Sequence, residues 1–106
     1  MDEAKKQLYK KCLKKWGHLQ NRVENCALVL FEEMSELQIS IIKKIRYSYS
    51  TNQYQFGLEQ LDTDIIEELA DVQIMLEQMI VFYGEEKVNA VMQEKLKRLE
   101  KLMQKD

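Results

Sequence analysis

Two stretches of this chain carry acids at a spacing that could hold a hard cation. Glu32-Glu33-Met34-Ser35-Glu36 is followed later by Glu68-Leu69-Ala70-Asp71. Residues three apart on an α-helix lie about 60° apart around the axis and one turn up, so Glu33 and Glu36 share a face, as do Glu68 and Asp71. If the two helices pack antiparallel, four carboxylates can converge. Such a cluster, partly withdrawn from water, must be protonated, separated or neutralised by a cation. Oxygen ligands fit magnesium, with manganese as the variant. Magnesium readily shares its shell with phosphate oxygens, so the predicted chemistry is a metal-assisted reaction at phosphate. The acids are continued along their helices by less polar residues: Cys26, Val29 and Ser40 on the side of Glu33, Met75 and Phe82 on the side of Asp71. That is the pattern of a pocket wall. The ordinary alternative is a pair of solvated acidic faces.

Other chemistries have little to work with. His18 is the single histidine, which leaves neither a zinc set nor a histidine-based triad. The three glycines are isolated, so no phosphate-cradling loop exists. Cys12 and Cys26 have no metal-type spacing and sit among apolar neighbours, which predicts reduced thiols in a core or interface. Asp71, Met75, Gln78 and Phe82 step along one side of their helix by four, three and four. With Asp71 at a metal, Gln78 could meet the edge of a base and Phe82 could stack on it.

The elements that would position these residues are helices. The chain of 106 residues has no proline and three glycines, as long helices require. Length predicts one domain over residues 1–106. A first helix is expected from about Asp2 to Leu19, with Leu8, Cys12, Trp16 and Leu19 as its stripe and lysines opposite. A second runs from about Gln20 to Arg46, with Val23, Ala27, Leu30, Met34, Leu37 and Ile41 as a heptad stripe. Leu28, Phe31, Ile39 and Ile42 make this helix apolar on a further side, which predicts an oligomer with the second helix near its centre. Tyr47–Leu61 reads as a connector with one short helical turn. A third helix starts near Asp62 or Asp64, where Asp64 and Glu67 have capping-box spacing, and ends at Tyr83 before Gly84. Its expected core is Ile65, Leu69, Val72, Leu76, Ile80 and Tyr83. A fourth covers about Glu85 to Met103. The net charge of −2 argues against a nucleic-acid binder. No stretch has the length of a membrane span or the form of a signal peptide, so a cytoplasmic location is expected.

The string Phe31-Glu32-Glu33-Met34-Ser35-Glu36-Leu37-Gln38, with Ile66-Glu67-Glu68-Leu69-Ala70-Asp71-Val72 on a later helix, resembles the paired motif of the MazG-like, all-α nucleoside triphosphate pyrophosphohydrolases. The resemblance covers roughly Gln20 to Leu102. It implies a four-helix bundle-like fold working as a homodimer or homotetramer. It also implies magnesium-dependent cleavage between the α and β phosphates of a nucleoside triphosphate, giving the monophosphate and pyrophosphate. Carried over by position, Glu33, Glu36, Glu68 and Asp71 would be metal ligands. Glu32 would be a further ligand, a water-orienting base or structural. The last helix of the family supplies basic residues near the phosphates, and Lys95 and Arg98 match them here. Lys43 and Lys44 are further candidates for phosphate contacts. The segment between Glu36 and Glu68 is longer than usual in the family, which bears on the base pocket more than on the metal site. The rival reading is a non-catalytic helical oligomerisation or interaction module, with its acidic faces serving solubility or partner choice.

Overall fold

The computed structural model describes residues 1–17, 24–49 and 54–105. These residues are almost wholly helical, with no strand among them. The helices are α1 (Glu3–Cys12), α2 (Glu24–Tyr49), α3 (Tyr54–Tyr83) and α4 (Glu85–Gln104), and α1 runs on into a wider π-helical turn at Leu13–Gly17. None is long and apolar enough to cross a membrane. His18, Leu19, Gln20 and Val23, with the expected boundary between the first two helices, lie outside the described residues.

The ends follow local chemistry. Asp2 caps α1, its carboxylate accepting from the Lys5 N–H at 2.8 Å. Gly84 separates α3 from α4 with φ +108°, a conformation other residues rarely adopt. Its N–H donates to the Ile80 carbonyl at 2.9 Å and its own carbonyl accepts from the Val88 N–H at 3.1 Å. One residue thus closes one helix and opens the next. Glu85 and Glu86 in the first turn of α4 and Lys101 in its last complement the helix dipole.

The expected connector is mostly helix. α2 continues to Tyr49 and α3 already begins at Tyr54, leaving only residues 50–53 between them. Ser48 donates its hydroxyl to the Lys44 carbonyl and Thr63 to the Glu59 carbonyl, so these polar residues are absorbed inside helices. Asp64 is therefore no cap. It lies inside α3 and accepts from Gln60 Nε2 at 2.8 Å.

α2 and α3 form an antiparallel pair. Cys26 faces the Met75 carbonyl, Glu33 and Glu36 face Glu68, and Lys44 pairs with Asp62, so partners recede along α3 as they advance along α2. The seam differs from the expected stripes. On α2 it runs through Cys26, Leu30, Glu33, Leu37 and Ser40, while Met34 and Ile41 are exposed. On α3 it runs through Ile65, Glu68, Val72, Met75 and Gln78, while Leu69, Leu76 and Tyr83 are exposed. α1 packs on α3 through Tyr9, whose hydroxyl donates to Glu77 Oε1 at 2.6 Å, and through the Lys5–Glu77 ion pair at 2.8 Å. α4 touches α3 near Gly84 and then departs, and every residue from Asn89 to Lys105 is exposed.

Candidate metal centre

The rotation of both seams decides the site. Glu33 and Glu68 occupy inward heptad positions where an apolar residue would ordinarily sit. Each has one carboxylate oxygen, Oε2, that is buried and without a hydrogen-bond partner. A buried, unsatisfied carboxylate oxygen is costly and requires a compensating charge. Glu36 stands at the mouth of the same groove, and one oxygen from each of Glu33, Glu36 and Glu68 lies within 4.8 Å of the others. Opposed ligands of an octahedral magnesium are roughly 4.2 Å apart and adjacent ones roughly 3 Å, so the three carboxylates would draw inward to share one ion. The donor set, all carboxylate oxygen, fits magnesium or manganese.

The electrostatics agree with the geometry. Burial, and then the neighbouring charges of Glu36 and Asp71, push the Glu33 carboxyl above its usual range. Burial and the charge of Glu36, followed by those of Asp71 and Glu33, do the same to Glu68. Asp71 is thus near enough to act on both, but its side chain is exposed and outside the close trio. Glu32 is exposed beside Glu33 and contributes a smaller charge effect.

The other predicted residues are spread out. Lys43 is exposed on α2, and Lys44 is paired with Asp62. Lys95 and Arg98 stand exposed on α4. Gln78 is buried, at 7% exposure, and its amide nitrogen makes only a weak contact at 3.5 Å to the Met75 sulfur. Phe82 is turned elsewhere and packs edge-on against Tyr83, centroids 5.1 Å apart.

Gln78 and Met75 line a cavity of about 220 Å³ together with Val29, Cys26, Cys12, Asn25 and Trp16. Val29 lies one turn before Glu33 and Met75 one turn after Asp71, so the cavity continues the acidic groove. Trp16 comes from the π-helical turn, with the Lys15 ammonium 4.9 Å from its ring centroid. Both cysteines are free, as expected, and both face this cavity. Helical periodicity had put Cys12 and Trp16 on one stripe. Only the packing of the π-helical turn on α2 shows that they line one cavity with Gln78. No protein-family model, curated protein sequence or solved structure matches this chain.

Proposed function

We propose that this chain is a magnesium-dependent nucleoside triphosphate pyrophosphohydrolase of the MazG-like, all-α kind, self-associating as a dimer or tetramer. The observation that carries the reading is the pair of buried, unpartnered carboxylate oxygens of Glu33 and Glu68, set opposite Glu36 in the seam between α2 and α3. A solvated acidic face would not bury such atoms. Glu33, Glu36 and Glu68 would hold the ion, with Asp71 at the open side able to complete its shell. Bound there, magnesium supplies charge neutralisation and lowers the pKa of a coordinated water. The reaction is attack of water on the α phosphorus, with pyrophosphate leaving. Glu32, exposed beside the cluster, is the candidate acceptor for the water's proton.

The neighbouring cavity is the candidate base pocket. At about 220 Å³ it is smaller than a typical whole-ligand site of about 300–1,000 Å³. It suits one ring, with sugar and phosphates lying along the groove toward the acids. Trp16 offers a stacking face, and Gln78 and Asn25 offer donors and acceptors. The test is incubation with a panel of nucleoside triphosphates and magnesium, followed by assay of pyrophosphate. Release that needs the metal and is lost in Glu68→Gln supports the reading, and its absence with every nucleotide defeats it. The rival, an interaction module, draws on the exposed apolar faces of α2 and α4, and it predicts no pyrophosphate with any nucleotide.

A further inference from the structure

Three sulfur-bearing side chains, one from each of three helices, line the cavity beside the acidic groove. Cys12 is the last residue of α1, Cys26 lies in the first turn of α2, and Met75 lies within α3. Both thiols are free. Cys26 is buried, at 1% exposure, and its Sγ faces the Met75 carbonyl at 4.0 Å. Gln78 lines the same cavity and is buried too, and its Nε2 donates to the Met75 sulfur at 3.5 Å. That bond occupies one lone pair of the thioether and leaves the other for a further partner. Burial, and then the charge of Cys12, pushes the Cys26 thiol up, so the two cysteines lie close enough to act on each other.

The donor set selects its ion. Thiolate and thioether are soft ligands, which suit Cu(I) and do not suit magnesium or calcium. Zinc takes a tetrahedron of thiolate, imidazole or carboxylate ligands, and this wall offers two thiols, a thioether and the amides of Asn25 and Gln78. Charge points the same way. Trp16 and Val29 make the rest of the wall apolar, and an apolar wall resists a change in net charge. A monovalent ion that replaces one thiol proton leaves the charge of the cavity as it was. A divalent ion would need both thiols ionised, and burial opposes ionisation of Cys26.

We propose that Cys12, Cys26 and Met75 bind one Cu(I) ion in this cavity. Binding exchanges one S–H bond for one S–Cu bond, and the proton goes to solvent. The second thiol and the thioether bind through sulfur lone pairs, and the ion keeps its oxidation state. The site shares no ligand with the acidic cluster of Glu33, Glu36 and Glu68, and it does not depend on the hydrolase reading. The same cavity is the candidate base pocket, so ion and base exclude each other there.

The experiment titrates the reduced chain, without oxygen, with Cu(I) held by the chromophoric chelator bathocuproine disulfonate. One ion per chain should pass from chelator to protein. Trp16 lines the cavity and is the only tryptophan, so its emission should fall as the ion binds. Below the thiol range, affinity should rise about tenfold per pH unit, as release of one proton per ion demands. Cys12→Ser should weaken binding by roughly 100-fold and the volume-conserving Met75→Leu by roughly tenfold, both with unchanged helical circular dichroism. Zinc at equal concentration should not displace the ion. Retention of all the Cu(I) by the chelator, more than one ion per chain, or displacement by zinc would each overturn the site. So would Trp16 emission unmoved by a bound ion, or Met75→Leu binding as tightly as the natural chain. The assay contains no nucleotide, so inactivity toward every nucleotide leaves its result unaffected.

Discussion

Glu68 holds a position that the packing of α3 would normally give to leucine or valine, between Ile65 and Val72 on the seam. Its charge is therefore unfavourable to the fold unless a proton or a cation neutralises it. Glu68→Gln is expected to leave apo stability equal or higher, because it removes like-charge repulsion, and to abolish the rise in melting temperature on adding magnesium. Thermal melts with and without EDTA check both halves, and an undiminished magnesium response would remove Glu68 from the site. The pH dependence has a definite sign. Carboxyls raised by folding bind protons more tightly in the folded state, so the empty protein loses stability as pH rises through their range. Cation binding needs them ionised, so the magnesium-induced stabilisation should grow as pH rises through and above the ordinary carboxyl range. Glu77 behaves oppositely. The Lys5 ammonium and the Tyr9 hydroxyl hold it down at about 2 from an ordinary 4.5, so its contribution is present above 4.5 and lost as pH falls toward 2. Burial, followed by the contact with Glu77, pushes the Tyr9 hydroxyl up to about 12 from 10.0, so its contribution holds at and below 10.0 and is lost as pH rises through 12. Tyr9→Phe should cost about 1–2 kcal/mol at neutral pH, measured by urea unfolding, with little change in magnesium binding.

At the scale of the helices, composition made the all-α class readable, and the end of α3 at Tyr83 and the start of α4 at Glu85 followed from Gly84. The paired acids were readable too, because spacing by three is a local property. The seams were less so. Met34, Ile41, Leu69 and Leu76 continue a heptad as well as Glu33, Ser40, Glu68 and Met75 do, and hydrophobicity favours the former. The fold turns them outward, where α2 and α4 show further apolar faces. The connector was misread at its start because Ser48 bonds back to the carbonyl of Lys44, four residues earlier, which periodicity cannot show. The π-helical turn left no mark in the sequence, yet it aims Trp16 into the cavity beside Gln78. Trp16 is the only tryptophan. A nucleotide bound there should change its emission, and Gln78→Ala should alter the ratio of specificity constants for two nucleotides more than it slows the better one. Emission unmoved by any nucleotide that the protein hydrolyses would place the base elsewhere.

The whole molecule is open. Its radius of gyration is 17.9 Å, against about 13 Å for a compact chain of this length. Few side chains among the described residues are fully enclosed, with Tyr9, Leu13, Cys26 and Leu30 as the buried apolar ones. A chain so weakly cored should unfold at a temperature that rises with protein concentration, as expected when folding and association are coupled. A tenfold dilution that leaves the melting temperature unchanged would contradict this. Salt should matter less than concentration. Apolar burial is little affected by screening, so an association through the exposed apolar faces of α2 and α4 should survive raising salt from about 0.1 M to about 1 M.

Gly84 gives this architecture a lever. α4 is 20 residues long, about 30 Å, and it leaves the body of the chain through the dihedral angles of one residue. A rotation of 10° at that joint swings the far end of α4 sideways by roughly 5 Å, about half the width of a helix. Alanine at 84 cannot hold φ +108° without strain. It would re-aim the arm while leaving α2 and α3 untouched. The acidic groove, built from α2 and α3, is thus independent of the direction α4 takes. In a lineage of such chains, one codon at this joint sets where α4 points without altering the carboxylates that α2 and α3 bring together.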